Sequence, residues 1–284
     1  MLHDIGELTG DVLIYGGPYS NLQATEALFD LADARGIAVG NRICTGDVVA
    51  YCADPAAAWE AVLARGGHIV AGNCERQIAE GAEGCGCGFE DGTACDLMSR
   101  GWYPRAAQAF AGDAAARAAM GALPDVIVFA HQGRRCAVIH GGVTDIARFV
   151  WPVSDVAVFE AEIQALEAVA GPVDMVFAGH AGVPFQRQVG DLLWVNAGVI
   201  GMPPHDGAPD TRVVVLGEAG LVVERLSYDW RAAQAAMEAA GLPQGYHAAL
   251  ESGWWPSEEV LPVEMRRNPP PQSPSRREGE AAAR

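Results

Sequence analysis

The sequence predicts an α/β fold, with strand–helix units in its first half and mostly strands in its second half. Two observations support this prediction. Short apolar runs recur along the chain and end in glycine-containing loops, and segments with apolar residues at helical spacing separate the early runs. Hydrophobic residues make up 50% of the 284 residues, so the chain can bury a sizeable core.

The first half alternates between strand and helix. We expect strands over residues 11–15, 42–45 and 68–71, each ending beside a glycine. A segment with helical spacing separates the first two strands, and Pro55 is well placed as the first residue of a helix over 55–65. Parallel strands linked by helices bring their carboxyl ends to one edge of a sheet, where such folds bind ligands.

The second half is richer in strands, and its turn sequences are typical of hairpins. Helices are expected over residues 113–121, 156–166 and 230–240. Gln132-Gly133 and the segment 217–220 predict turns between neighbouring strands. Strands are expected over residues 125–130, 135–140, 175–178, 185–189, 192–195, 211–216 and 221–226.

Composition along the chain predicts one domain over residues 1–267, followed by a tail. Residues 81–105 are rich in Gly and Cys and lack periodicity, so we interpret them as an inserted loop. Residues 268–284 are rich in Pro and in charged side chains and lack core residues, which predicts a disordered tail.

The charge balance excludes several classes of partner. Asp and Glu number 36 against 19 Lys and Arg, for a net charge of −17. A nucleic-acid binder or a protein that binds an anionic membrane needs a basic surface, so we expect neither partner. The sequence shows neither a membrane-spanning run nor the pattern of a signal peptide, which predicts a cytoplasmic protein with reduced cysteines. It does not indicate an oligomeric state.

Four short segments at predicted strand ends pair a polar side chain with a glycine. They contribute a carboxylate at Asp47, an amide at Asn73, and imidazoles at His140 and His180. Glycine in such positions permits a sharp turn or a close approach to a ligand. Nitrogen and oxygen donors of these types are suited to a divalent transition metal, here Mn, Fe, Zn or Ni.

The order of these segments resembles the calcineurin-like metallophosphoesterases, and within them the compact bacterial and archaeal phosphodiesterase-type branch. The resemblance runs from about residue 11 to residue 226 and implies a two-sheet β-sandwich flanked by helices. It rests on Asn21–Ala24, Gly46–Val49, Gly72–Glu75, His140–Gly141, Gly179–Gly182 and Asn196–Pro203.

The resemblance implies a site for two metal ions, of which the sequence retains one complete ligand set. Gly17, Tyr19 and Gly182 stand where the family has an Asp and two His that bind the first ion. The second ion keeps all four family ligands, Asp47, Asn73, His140 and His180. Ordinary two-ion catalysis therefore does not carry over unchanged, and the sequence leaves one or two bound ions as alternatives.

Four of the seven cysteines lie within one stretch of 22 residues that follows directly on Asn73. They are Cys74, which replaces a family histidine, and Cys85, Cys87 and Cys95. Three interpretations of these thiols remain open. They form a separate structural metal site, they rebuild the missing ion position, or they pack as small buried side chains with one incidental disulfide. The remaining three, Cys44, Cys52 and Cys136, occur in apolar contexts and are expected in the core.

Several further residues are candidates for catalysis or substrate contact. Tyr19 stands where the family has a metal ligand, and three roles are open for it: contact with a substrate phosphate, ligation of iron, or simple packing. Glu75 either acts as a base or begins a helix. Asn196 ends a predicted strand, and Asp206 follows it as a site residue or a turn residue.

Two functions remain open on the sequence alone. The first is a metal-dependent hydrolase of a small phosphomonoester or phosphodiester with an altered metal centre. The second is a catalytically inactive descendant that acts as a metal-binding or redox-responsive module. Retention of one complete ligand set favours the first, because an unused pocket has no need for four ligands at separate strand ends.

Overall fold

Two β-sheets packed face to face form the centre of the structure, a computed structural model that describes residues 1–242 and 245–267. The strands are β1 (Leu2–Glu7), β2 (Val12–Tyr15), β3 (Arg42–Cys44), β4 (His68–Ile69), β5 (Val126–His131), β6 (Arg134–Val138), β7 (Met175–Ala178), β8 (Phe185–Val189), β9 (Leu192–Asn196), β10 (Thr211–Gly217) and β11 (Gly220–Leu226). The helices are α1 (Leu22–Ala34), α2 (Pro55–Arg65), α3 (Asn73–Glu80), α4 (Ala94–Ala109), α5 (Ala114–Gly121), α6 (Val156–Ala170), α7 (Trp230–Ala239) and α8 (Tyr246–Ser252).

The two sheets differ in strand direction. The five-stranded sheet has the order β11-β10-β2-β3-β4, in which β2, β3 and β4 are parallel and β10 and β11 form an antiparallel hairpin. The six-stranded sheet has the order β1-β5-β6-β7-β9-β8, in which β6, β7 and β9 are parallel. The parallel strands β2–β4 confirm the strand–helix units expected from the first half of the sequence.

Three layers of apolar side chains hold these elements together. Between the sheets, Ile14 and Val214 of one sheet pack in the same cluster as Phe129 and Phe177 of the other. On the outer face of the five-stranded sheet, helices including α1, α2 and α7 cover the core, and α6 covers the six-stranded sheet through Phe159. This is the two-sheet β-sandwich flanked by helices that the resemblance implies.

The residue before helix α1, Asn21, caps the helix and also contacts a second loop. The Asn21 side-chain oxygen accepts a hydrogen bond from the backbone N–H of Ala24 at 3.1 Å, which satisfies a free donor of the first turn. Its amide nitrogen donates to the carbonyl of Gly201 at 3.1 Å. One buried side chain therefore caps the helix and links the loop after β2 to the loop after β9 of the other sheet.

The inserted segment differs from its predicted form. Residues 81–105 were expected to be a loop, but Ala94–Ala109 forms helix α4, and only the part before it is irregular. Thr93 caps this helix through the Asp96 N–H, and Trp102 and Tyr103 bury its inner face. Pro104 inside the helix and the nearby glycines removed the periodic signal.

Two other elements carried too little sequence signal to be predicted: strand β1 is mostly exposed and so lacks an apolar alternation, and α8 spans 7 residues. Helix α3, of 8 residues, has Glu75 in its first turn, in agreement with the interpretation that Glu75 begins a helix. The tail predicted for residues 268–284 lies outside the described residues. In the part of the chain that the structure describes, no helix has both the length and the apolar character needed to cross a membrane.

Candidate metal centre

Four polar side chains converge where the parallel strands end. His140 Nε2 lies 3.0 Å from Asn73 Oδ1, 3.1 Å from His180 Nδ1 and 3.3 Å from Asp47 Oδ2. All four residues are buried. Because Asp47 follows β3, Asn73 follows β4, and the two histidines follow β6 and β7, both sheets contribute to this group.

The spacing of these donor atoms fits one metal ion. Two atoms each about 2.1 Å from a common ion lie about 3.0 Å apart at a right angle and about 3.4 Å apart at a tetrahedral angle. The separations of 3.0, 3.1 and 3.3 Å fall in this interval. A donor set of two imidazoles, one carboxylate and one amide oxygen suits a divalent transition metal, so the residues present fit the ion that the family implies.

The tautomer of His140 is fixed by a backbone contact. Its Nδ1 lies 2.6 Å from the carbonyl oxygen of Thr45. Since a carbonyl only accepts, Nδ1 carries a proton and Nε2 is the nitrogen that faces the other three donors. Burial would lower the pKa of His140, but the charge of Asp47 outweighs it and holds the pKa above its usual value, so a metal would displace any proton on Nε2. The contact of Nδ1 with Thr45 therefore orients Nε2 as a candidate ligand atom.

The electrostatics of the cluster favour a cation. Burial alone would raise the pKa of Asp47, but the neighbouring His140, then His180, outweigh it and the pKa lies below its usual value. Burial and the proximity of His140 lower the pKa of His180 to about 3, so its imidazole is neutral at physiological pH. A carboxylate and a neutral imidazole are the forms that bind a metal.

The backbone at two of the candidate ligands is unusual. Asp47 has φ of +55° and His180 has φ of +57°, both in the left-handed region that side chains other than glycine rarely adopt. The preceding Gly179 is required by a close approach, because a Cβ there would lie 2.2 Å from Thr45 Oγ1. Such strain is typical of functional sites, where surrounding contacts hold the backbone in place.

Glu75 supplies much of that support, a role that the sequence did not reveal. Its carboxylate accepts backbone N–H groups of Asp47 at 2.8 Å, Val49 at 3.0 Å and Gly72 at 3.0 Å. Burial, followed by the charge of Asp47, raises the pKa of Glu75 to about 7. Glu75 thus ties the Asp47 loop to the first turn of α3 and does not line the site cavity, which makes it a positioning residue.

Glu162 gives similar support on the opposite sheet and was also missed. This fully buried side chain of α6 accepts backbone N–H groups of Val143 at 2.6 Å and Thr144 at 3.0 Å, in the loop that follows His140. Arg148 Nε lies 3.2 Å from the same carboxylate. The contacts span 14 residues or more along the chain, so no local sequence motif could have revealed them.

The amide of Asn73 is oriented by the inserted segment. Its Nδ2 donates to the carbonyl of Cys85 at 2.9 Å, which turns Oδ1 toward His140. Cys85 and Cys87 are joined by a disulfide, and the sulfurs of Cys74 and Cys87 each lie 3.5 Å from the same Nδ2. The disulfide loop therefore contacts a candidate ligand directly.

The four clustered cysteines do not meet as one thiolate site. Disulfide sulfurs of Cys85 and Cys87 are not available as thiolates, and Cys95 lies on α4 beside Ser257. Cys74 is a buried free thiol whose backbone N–H donates to Asp47 at 3.2 Å. The group of at least three potential metal ligands that the described residues bring within 4.8 Å of one another is Asp47, His140 and His180.

Aromatic rings fill the space of the side chains missing from the other ion position. A Cβ on Gly17 would lie 2.4 Å from Cε1 of Tyr19, and a Cβ on Gly182 would lie 3.2 Å from Cζ2 of Trp255. Tyr19 is 6% exposed and packs on Tyr51, with ring centroids 4.7 Å apart. At Gly17 and Gly182, where the family pattern has metal ligands, bulky neighbouring rings therefore occupy the space that a side chain would need.

A small cavity of about 50 Å³ opens on Asp47 and His180. Its walls come from the site loops, the inserted segment and the chain after α7. Its lining is mostly aromatic and aliphatic: Tyr19, Asp47, Tyr51, Cys87, Phe89, Cys95, Phe149, His180, Ala181, Gly182, Val199, Met202, Tyr246, Trp255, Ser257 and Val260. The volume corresponds to a few water molecules, which suits a small group.

The two remaining candidates have structural contacts. Asn196 Nδ2 donates to the carbonyl of Gly179 at 2.7 Å, and its Oδ1 accepts from the Gly198 N–H at 2.9 Å, so it holds the His180 loop. Asp206 pairs with Arg212 and does not line the cavity. Both stay predictions as substrate contacts.

Comparisons with known proteins agree with this geometry. The profile of the calcineurin-like phosphoesterase superfamily domain matches residues 19–219. No curated protein sequence matches the chain. The matched residues include all four converging donors and the turn between β10 and β11.

Two solved structures share the fold. A metallophosphoesterase from Sphaerobacter thermophilus is 19% identical, with 87% of this chain and 100% of that chain covered and a TM-score of 0.66. A hypothetical protein from Pyrococcus horikoshii OT3 is 14% identical, with 89% and 99% covered and a TM-score of 0.68. Since the profile spans well over half of the sequence, the chain belongs to the calcineurin-like phosphoesterase superfamily.

Proposed function

We propose that the protein is a metal-dependent phosphoesterase that works with one divalent transition-metal ion. The observation that carries this proposal is the convergence of three donor atoms within 3.0–3.3 Å of His140 Nε2 in a buried site. Asp47, Asn73, His140 and His180 would hold the ion. When bound, it would supply Lewis-acid activation of water and neutralise charge on a phosphoryl oxygen.

The chain's own residues prepare this chemistry. His140 is held as a ligand by the Thr45 carbonyl, and Asn73 by the Cys85 carbonyl. Glu75 fixes the Asp47 loop, so the carboxylate needs no reorganisation when a ligand binds. The lining of the cavity is mostly apolar, which limits the water around a bound substrate.

The proposal of one ion rests on Tyr19 and Trp255. Their rings lie where side chains at Gly17 and Gly182 would extend, and those two positions belong to the other ion in the family pattern. An active two-ion clamp would require both rings to move. The substrate we propose is a small phosphomonoester or phosphodiester.

A second candidate, a metal-binding or redox-responsive module without catalysis, is favoured by the same two rings and by the disulfide at Asn73. It shares the single ion and differs in turnover. Measurement of both properties therefore separates the two functions.

The test combines metal content with turnover. Protein purified without added metal is analysed for Mn, Fe, Zn and Ni, and each metal is then assayed with an aryl phosphate and an aryl phosphodiester. We expect one equivalent of metal and turnover with at least one ion. One equivalent without turnover would support the metal-binding module. Protein that takes up no metal would contradict the phosphoesterase and the metal-binding module, and would leave only a redox-responsive role for the disulfide.

Reduction of the disulfide is expected to weaken metal binding roughly tenfold, because Cys85 orients Asn73 and partners of this kind contribute that much to affinity. The affinity is measured by calorimetric titration of Mn²⁺ into oxidised protein and into reduced protein. The Cys85→Ser/Cys87→Ser double variant is the control, since it should show the lower affinity with or without reductant. Equal Mn²⁺ affinity of oxidised and reduced wild-type protein would show that the disulfide does not support metal binding.

A further inference from the structure

We propose that the cavity is an aromatic cage that binds a small alkylammonium cation, of the class to which a trimethylammonium group belongs. This binding is separate from the proposed hydrolysis, since it needs neither a metal ion nor turnover. The proposal rests on three properties of the lining, namely its aromatic rings, the sign of its charged side chains and the size of the space that it encloses.

Six rings of Tyr, Phe and Trp side chains surround the cavity. They are Tyr19, Tyr51, Phe89, Phe149, Tyr246 and Trp255. The face of an aromatic ring carries partial negative charge and attracts a cation that lies within about 6 Å of the ring centre. Several rings around one space act on the same cation, and this arrangement is the one that recognises quaternary ammonium groups in proteins.

Three of these rings form one continuous wall. The centroid of Tyr51 lies 4.7 Å from that of Tyr19 and 4.7 Å from that of Tyr246, and both pairs meet edge to face. Tyr51 also contacts Trp102 of α4, with centroids 4.6 Å apart, which holds the wall against that helix. Because the rings are packed before a ligand arrives, they lose little conformational freedom when it binds.

The other three rings come from separate parts of the chain. Phe89 of the inserted segment stacks on Phe149 of the loop before α6, with centroids 6.0 Å apart. Trp255 follows α8, and its indole N–H donates to the carbonyl of Pro203 at 2.7 Å, which fixes the orientation of the ring. The fold therefore brings rings from distant positions to one small space and holds each of them by a contact of its own.

The charged side chains around this space favour a cation. Asp47 contributes a carboxylate, and none of the described residues that line the cavity is Lys or Arg. An adjoining outer cavity of about 190 Å³ shares Phe89 and Phe149 with the first. It adds the carboxylates of Glu90 and Glu259, again with neither Lys nor Arg among its described lining residues. The net charge of −17 on the whole chain adds a long-range attraction for cations.

The apolar character and the size of the space select the class of cation. An alkylammonium group presents methyl groups to its surroundings, so it suits a lining that is mostly aromatic and aliphatic and loses little hydration on entry. The volume of about 50 Å³ corresponds to a few water molecules, which is about the size of a trimethylammonium group. A larger cation would extend into the outer cavity.

The test compares choline with 3,3-dimethylbutan-1-ol, a neutral molecule of the same shape in which carbon replaces the nitrogen. Both are titrated into metal-free protein, so that no metal ion competes for Asp47, and calorimetry and ligand-observed NMR report binding. We expect choline to bind at least about tenfold more tightly, because only the cation gains from the ring faces and the carboxylates.

Removal of single rings then tests the cause of the preference. Trp255→Leu keeps an apolar side chain but removes the ring, whereas Trp255→Phe keeps a ring. We expect Trp255→Leu to lower the ratio of choline affinity to neutral-ligand affinity at least about threefold, and Trp255→Phe to retain most of that ratio. Phe89→Leu and Phe89→Tyr are a second matched pair on a different segment. Since each ratio is measured within one variant, a general loss of folding affects both ligands alike.

The outcomes separate this inference from the proposed hydrolysis. If choline and the neutral ligand bind equally, or if neither binds to folded metal-free protein, the cavity is not a cation site and the phosphoesterase proposal is unaffected. If choline binds more tightly but neither Trp255→Leu nor Phe89→Leu lowers the ratio, the rings do not hold the cation and the inference is wrong. A preference for choline that falls in both leucine variants would support the cage whether or not the protein hydrolyses phosphate esters.

Discussion

Replacement of His140 by alanine is expected to lower metal affinity by at least about 100-fold. Its Nε2 lies within 3.3 Å of the donor atoms of Asn73, His180 and Asp47, so the substitution removes the central candidate ligand of the group. Loss of an oriented ligand costs more than loss of the groups that orient it, which itself costs 10- to 100-fold. Calorimetric titration with Mn²⁺ and Zn²⁺ measures the effect.

The matched control is His3→Ala, which removes an exposed histidine on β1 that does not belong to the group of converging donors. It should leave both affinity and stoichiometry unchanged. Circular dichroism of apo protein checks that His140→Ala remains folded. Retention of one tightly bound equivalent by a folded His140→Ala variant would show that the metal lies elsewhere.

Replacement of Glu75 by alanine is expected to destabilise the fold by about 3–5 kcal/mol. The change removes the acceptor of three buried backbone N–H groups, and each unsatisfied donor costs about 1–3 kcal/mol, with less than full additivity. Urea unfolding of metal-free protein measures the loss without any contribution from bound metal.

The control for Glu75 lies on the same helix. Glu80→Ala removes an exposed carboxylate from the end of α3 and should change stability by no more than about 0.5 kcal/mol. Glu75→Gln should fall between the two, because its amide retains one acceptor oxygen but replaces the other with a donor. If Glu75→Ala and Glu80→Ala are equally stable, the carboxylate does not anchor the Asp47 loop.

The sequence predicted those parts of the fold whose signal is local. Helix α2 was expected over residues 55–65 and observed at Pro55–Arg65, because a proline marks its start and apolar residues keep a regular spacing. The strands at Met175–Ala178 and Phe185–Val189 likewise match their expected bounds. By contrast, α4 was predicted as a loop because Gly, Cys and an internal Pro104 hide its periodicity.

The candidate site likewise contains some residues that the sequence predicted and others that it did not. Asp47, Asn73, His140 and His180 were candidates because each follows a strand, and strand topology brings them together. Their supports were not predictable: Glu75 and Glu162 bind loops through backbone N–H groups, and Trp255 reaches Gly182 from a segment 73 positions later. These contacts depend on tertiary packing, which leaves no spacing pattern in one sequence.

The ring of Trp255 also constrains the order in which this site can change through mutation. A histidine at Gly182 would place its Cβ 3.2 Å from that ring on a backbone with φ of +74°. Gly182→His is therefore strained on two counts, and replacement of Trp255 by a small residue relieves only the contact with the ring. At Gly182 a second ion position therefore requires a change at Trp255 in addition to the new ligand. At Gly17, by contrast, replacement of Tyr19 by the histidine of the family pattern would remove the obstructing ring in the same step.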